Sequence, residues 1–270
     1  MSYPARYPER IVCLTEETTE TLYLLGEEAR IVGISGFTVR PARARKEKPK
    51  VSAFTSAKIE RICALSPDLV LGFSDLQADI AQDLVRRGID VHVFNQRDIA
   101  GILRMICVLG GMVGCEARAT ELAAQLERNL AAIRAAGERF HSRPRVYFEE
   151  WDEPMISCIH WVSELIEVAG GTDCFADQAG QSLARHRIIA DPNEVIRRRP
   201  DIILGSWCGK KFRPDAVRAR AGWSAVPAVI DDELHEIKSS IILQPGPAAL
   251  TDGVAALHEV FAAWHAKRAQ

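Results

Sequence analysis

CEARATELAAQLERNLAAIRAAGERF, from Cys115 to Phe140, carries its apolar residues at three- and four-residue steps. Ala119, Leu122, Ala123, Leu126, Leu130 and Ile133 fall on one face, and Glu121, Gln125, Arg128 and Arg134 on the other. The spacing predicts one amphipathic helix of about 25 residues, roughly 35 Å long at about 1.5 Å per residue. Such a helix is long enough to cross a small domain, so the fold depends on what lies on either side of it.

Before it, short apolar runs alternate with helical patterns. Arg10-Ile-Val-Cys-Leu14 reads as a strand running into the Thr15 to Glu20 cluster, which suits a capped helix start, and a helix from Thr18 to Leu25 stops at Gly26. Ile31-Val-Gly-Ile34 is a second strand, and Arg40 to Lys50, with Pro41, Pro49 and six basic residues, is an exposed loop. A helix over Lys58–Leu65, a strand over Asp68–Leu71, a helix over Gln77–Arg87, a strand over Val91–Phe94 and a helix from Ile99 to Leu109, broken by Gly110-Gly111, complete this side.

After the long helix the pattern resumes with a strand at Arg145–Phe148 and a helix over Val162–Val168, stopped by Gly170-Gly171. Ser66-Pro-Asp-Leu-Val-Leu-Gly72 is echoed by Arg199-Pro-Asp-Ile-Ile-Leu-Gly205, each after a short helix with Glu60 or Glu194 near its start. A terminal amphipathic helix runs from about Ala248 to Ala266. The expectation is α/β: two similar Rossmann-like lobes with parallel sheets, residues 1–114 and 141–270, joined by a single long α-helix over 115–140.

Composition narrows the function classes. With 34 Lys+Arg against 36 Asp+Glu, the 270-residue chain has a net charge of -2 and no clustered basic excess, so nucleic acid is set aside. The longest nearly uncharged apolar run, Met105 to Cys115, is too short to span a bilayer, and MSYPARYPERIVCL lacks an export-signal pattern. The expectation is a cytosolic protein without membrane insertion. Its seven scattered cysteines are expected to be reduced.

Ligands of parallel sheets bind beyond the carboxyl ends of the strands. The segments there are Thr15–Glu17, Ser52–Thr55, Phe73–Asp75, Glu149–Glu153, Ser206–Phe212 and Lys238–Gln244. Phe54, Phe73, Trp151, Trp161 and Trp207 supply aromatic surface for a large, flat or partly apolar ligand in an interlobe cleft, although a Trp after a strand can equally plug a sheet edge. Among the four carboxylates of Glu149-Glu150-Trp151-Asp152-Glu153, at most two can face one cleft, and a solvated acidic loop is the plainer reading. In Trp207-Cys-Gly-Lys-Lys-Phe212, Lys210 and Lys211 could hold an anionic group, and the glycine spacing of a P-loop is absent. No Cys-x-x-Cys, His-Glu-x-x-His or Gly-x-Ser-x-Gly pattern occurs, so neither a structural zinc nor a nucleophile elbow is expected.

The whole arrangement resembles the class III, helical-backbone substrate-binding proteins of cobalamin and iron-chelate ABC transporters. The resemblance rests on Arg10–Thr15 with Thr19-Glu20, Gly26–Gly33, Val51-Ser52 with Ile59–Leu71, Leu84–Val93 and Asp191–Leu204. It implies a small-ligand binding protein holding a bulky metal chelate, corrinoid (cobalamin) first and iron-siderophore or haem next, without catalysis. Val51-Ser-Ala-Phe54 and Gly72-Phe73 fall where cobalamin binders place cleft aromatics, so the expected ligand residues are Glu17, Phe54, Phe73, Glu150, Trp151, Trp161, Trp207, Lys210, Lys211 and Gln244. Without an export signal the chain is expected to form a cytosolic branch, and docking on an ABC permease is expected only with export. The alternatives are an enzyme using Glu150, Asp152 and Cys208, and an interaction subunit with a degenerate pocket. A continuous helical link further implies a largely preformed cleft.

Overall fold

The computed structural model describes residues 6–268. It divides into two compact units, the chain up to Gln96 with Ala100–Leu126, and Arg97–Ile99 with Glu127 onward. None of the described helices is long and apolar enough to cross a membrane.

The first unit contains β1 (Ile11–Cys13), β2 (Ile31–Ser35), β3 (Lys50–Ser52), β4 (Leu69–Phe73) and β5 (Val91–Phe94) in the order β3-β2-β1-β4-β5. Every adjacent pair is parallel. The central strands are continuous apolar runs because helices cover both faces of such a sheet. Val12, Leu14, Val51, Ile62, Val70, Ile80 and Leu84 form one buried cluster.

The second unit contains β6 (Arg145–Asp152), β7 (Met155–Ser157), β8 (Thr172–Asp173), β9 (Ile202–Gly205) and β10 (Leu234–Glu236), ordered β10-β9-β6-β7 with β8 also on β6. β6, β8, β9 and β10 run parallel, and β7 folds back antiparallel on the end of β6. The antiparallel strand was not expected, since β6 continues four residues past Phe148. Its acidic end is therefore strand, and no loop begins until after Asp152.

The sequence echo is a structural repeat. Arg10 N–H donates to Asp68 Oδ1 at 2.9 Å, and Arg145 N–H donates to Asp201 Oδ2 at 2.9 Å. The two arginine side chains repeat the match, Arg10 Nε reaching Leu65 O at 3.1 Å and Arg145 Nε reaching Arg198 O at 3.1 Å. Ser66 and Arg199 both take a positive φ, 46° and 48°. A following proline disfavours the right-handed helical region, so each helix ends there and the chain turns into β4 or β9.

Several boundaries shift for local reasons. The first helix begins at Glu16, two residues early, and Thr15 does not cap it: its hydroxyl donates to Glu17 Oε1 at 2.7 Å. Gly110-Gly111 does not break its helix, which runs Ile99–Met112. A Cβ on Gly110 would lie 2.2 Å from that of Ala119, so this glycine lets two helices touch. The long helix spans Glu116–Gly137, burying Ala119, Ala123, Leu126 and Leu130, and the division between units falls within it. The basic 40–50 loop contains a short helix, Ala44–Glu47, and is fastened down. Arg45 donates to Gly36 O and Thr38 O at 2.7 and 3.0 Å, and Arg40 pairs with Glu20 at 2.9 Å. The terminal helix, Val254–Arg268, follows a π-helical turn over Ala249–Gly253.

Candidate functional site

In the second unit β6 is flanked by β9 on one side and by β7 on the other at its carboxyl end, so Glu149 lies opposite both Gly205 and Ser157. Its side chain is fully buried. A buried carboxylate needs charge and hydrogen-bond partners. Arg220 supplies a two-point contact at 2.6 and 2.9 Å, Trp207 Nε1 donates at 3.0 Å and Tyr147 Oη donates at 2.9 Å. Burial, and then the charge of Glu149, hold the Tyr147 phenol well above its ordinary range, so it keeps its proton and remains a donor.

This network fixes one tryptophan, and the β6–β7 turn fixes another. Trp151 Nε1 donates to Glu153 O at 2.8 Å. Lys210 follows Gly209, whose φ of 79° makes the turn after Trp207, and places Nζ 4.4 Å from the Trp151 ring centre and 5.2 Å from that of Trp207. It also pairs with Asp152. Lys210 thus sits near both rings at the carboxyl ends of β6 and β9. Trp207, however, is 4% exposed and packs in the core against Phe212, so it plugs the sheet end and does not wall a cleft as expected. Of the two rings only the half-buried Trp151 reaches the surface.

The other expected residues of this unit have different surroundings. Glu150 is bound by the buried Arg187 at 2.7 and 3.3 Å. Trp161 is buried in the helix His160–Ala169 and donates to Ile242 O at 2.9 Å, which ties down the short helix Ser239–Ile242. Gln244 follows that helix and is half-buried, while Lys211 and Cys208 are exposed.

In the first unit the strand order reverses direction between β1 and β4, the position where open sheets form their crevice. Gln77 organises it. Its Oε1 accepts from Phe73 N at 2.9 Å, and its Nε2 donates to Phe54 O at 2.8 Å. Phe73 is buried and Phe54 half-buried, so the same amide positions both. Glu17 is buried with Oε2 lacking any hydrogen-bond partner. Burial raises its pKa to about 7, outweighing the Thr15 hydroxyl that favours the charged form.

Sequence reasoning missed Arg220, Arg187, Tyr147 and Gln77. The signal for Arg220 was available in part, because Glu149 closes the apolar run Val146-Tyr-Phe148 and a carboxylate there demands a cation. Nothing in the sequence says which of the 34 basic residues answers. Phe37 was missed as well. It is 60% exposed in Gly36-Phe37 just after β2, the same dipeptide as Gly72-Phe73.

Known proteins share this architecture. A possible iron-binding, periplasmic solute-binding protein from Staphylococcus epidermidis superposes with a TM-score of 0.81 at 21% identity, over 94% of this chain and 99% of that one. The periplasmic vitamin B12 binding protein BtuF of Vibrio cholerae gives 0.76 at 21% identity, over 95% and 98%. The periplasmic haem-binding protein RhuT from Roseiflexus gives 0.78 at 25% identity, over 93% and 98%. In sequence, the ABC transporter substrate-binding lipoprotein YvrC of Bacillus subtilis is 25% identical over 93% of this chain and 79% of its own. The vitamin B12-binding protein of Vibrio parahaemolyticus is 24% identical over 90% and 86%. The cobalamin-binding protein of Halobacterium salinarum is 29% identical over 70% of this chain, which spans 53% of that protein's length. The sequence profile of the periplasmic binding protein family matches residues 11–241, and the chain belongs to that family.

Proposed function

We propose that this chain is a non-catalytic binding protein for a bulky metal chelate, a corrinoid first and an iron-siderophore complex or haem next. The observation that carries the reading is the half-buried Trp151 ring at the carboxyl end of β6, its N–H already satisfied by Glu153 O, in a chain of the periplasmic binding protein family. A ring held this way offers an apolar face without needing to reorganise, which suits stacking against a flat macrocycle. The carboxylates expected for an enzyme, Glu150 and Asp152, are instead engaged by Arg187 and Lys210. The choice of corrinoid over the other chelates draws support from relatives named for cobalamin or vitamin B12 binding.

Equilibrium titration of the purified protein with cyanocobalamin, haemin and a ferric hydroxamate siderophore, followed by absorbance and calorimetry, tests this. Saturable binding of cyanocobalamin at micromolar protein, weakened on Trp151→Ala, is the expected result. No heat and no spectral change with any of the three would reject the ligand class.

A further inference from the structure

The first helix, Glu16–Leu24, is polar where it is buried. Glu16, Glu17 and Glu20 are all buried, and Thr15, Thr18, Thr19 and Thr21 are buried with them. The chain after β2 covers this turn. Glu16 Oε1 accepts from Val39 N–H at 3.2 Å and from Arg40 N–H at 2.9 Å, and the Arg40 guanidinium pairs with Glu20 at 2.9 Å. Ahead of these contacts the segment is fastened to the sheet end, Gly36 N–H donating to Ser52 O at 2.7 Å and Thr38 N–H to Ser35 O at 3.2 Å. Val39 and Arg40 are held down at Glu16 and Glu20, while Phe37 just before them stands exposed.

The cover brings one guanidinium against three carboxylates. On its own helix Glu16 faces Glu17 and Glu20. From β1 the Cys13 thiol faces Glu17; burial pushes it up to about 12 and keeps it neutral, and Lys48, in the chain after the cover, is the cation felt there. Glu17 keeps one oxygen without a partner, and the hydroxyl of Thr38 in the cover, also buried, has none either. Three carboxylates taken out of water against one cation cannot all ionise. Burial is the larger effect at Glu16: it outweighs the two backbone N–H bonds and raises the pKa to about 7.

We propose that residues 36–41 form a proton-controlled latch over Glu16, closed while that carboxyl keeps its proton and released as it ionises and draws in water. With the latch open, Glu16 meets solvent and returns to its ordinary value of 4.5. The closed form therefore binds the proton more tightly, and by linkage each rise in pH between the two values favours opening. Opening frees Val39 and Arg40, and with them the rim of the first lobe at the end of β2 where Phe37 stands. The latch needs no ligand and stands apart from the chelate reading.

Amide hydrogen exchange of the full chain, followed by NMR and corrected for the intrinsic exchange rate at each pH, tests the latch. The opening constant at Val39 and Arg40 should rise about tenfold per pH unit between about pH 5 and pH 7 and level off above. Glu16→Gln keeps an oxygen for the two N–H groups and cannot ionise, so its opening constant should stay flat over the same range. Leu14 N–H, bonded to Leu71 O at 2.8 Å within the sheet, reports unfolding of the whole lobe. It should remain about tenfold or more better protected than Val39 and Arg40 at every pH. An opening constant that is indifferent to pH or falls as pH rises, a slope that survives in Glu16→Gln, or exchange at Leu14 as fast as at Val39 would overturn the proposal.

Discussion

The two lobes repeat the same strand pair, arginine and aspartate included, and then treat a buried carboxylate in opposite ways. In the second lobe Glu149 is closed by a guanidinium, an indole N–H and a phenol. In the first lobe Glu17 has a threonine hydroxyl and one oxygen with no partner. A charge without a cation in low dielectric is costly, so Glu17 shifts toward the neutral acid, while Glu149 recruits three donors. The repeat therefore fixes where strand ends lie, and the residues just beyond them decide whether the surface there is charged and rigid or neutral.

The largest test of this contrast is Arg220→Ala, which leaves Glu149 buried and unpaired. It should cost about 3–5 kcal/mol in urea unfolding, and Glu149→Leu/Arg220→Met should recover most of that loss. A midpoint unchanged by Arg220→Ala would mean that the arginine does not stabilise Glu149.

Glu17 should act through pH. Its folded pKa of about 7 lies above the ordinary 4.5, so the native state holds the proton over that window while the unfolded chain has lost it. The stabilisation is complete below about 4.5 and is lost as pH rises through about 7, amounting to at most about 3 kcal/mol. Glu16, also raised to about 7 by burial, adds in the same direction. Glu17→Gln should flatten the fall in stability between about pH 5 and pH 8 and make the protein more stable at the upper end. Denaturation curves that keep their full pH slope in the variant would show that Glu17 ionises freely.

Gly72 and Gly205 occupy the same place in the repeat, which allows a matched pair of substitutions. A methyl group on Gly205 meets the Phe212 ring at 1.8 Å, whereas on Gly72 it meets the Gln77 amide oxygen at 2.9 Å. Overpacking against a buried ring should cost about 1–3 kcal/mol for Gly205→Ala. Gly72→Ala should cost about 1 kcal/mol or less, because a side-chain end can give way. Thermal melts that rank the two in reverse would mean that Gln77, with its bonds to Phe73 and Phe54, is the stiffer element.

The fold was legible because its signals are local. Periodicity marked the helix later seen at Glu116–Gly137, and the Pro-Asp repeat marked β4 and β9. Trp151, Trp207 and Lys210 could be placed near one another because they lie at or just beyond the carboxyl ends of predicted strands. The partners that fix the site are long-range and leave no spacing to read: Arg220 reaches Glu149 across 71 positions and Arg187 reaches Glu150 across 37. Gly110-Gly111 misled for a related reason, since a glycine chosen for helix contact looks in sequence like one chosen to end a helix.

The smallest expected effect belongs to Lys210. Its side chain is 41% exposed, so its pairing with Asp152 is screened by solvent and its position over the two rings contributes about 0.5–1 kcal/mol. Lys210→Ala should therefore lower stability by less than about 1 kcal/mol while changing the tryptophan emission. Lys210→Met, which keeps an apolar stem over the rings, should retain most of the packing and lose only the charge. If Lys210→Ala instead costs as much as Gly205→Ala, the lysine is what holds the indoles in place. The rigidity of the second lobe would then rest on an exposed cation as well as on the buried Glu149 network, and its contrast with the Glu17 lobe would narrow to the choice of partner.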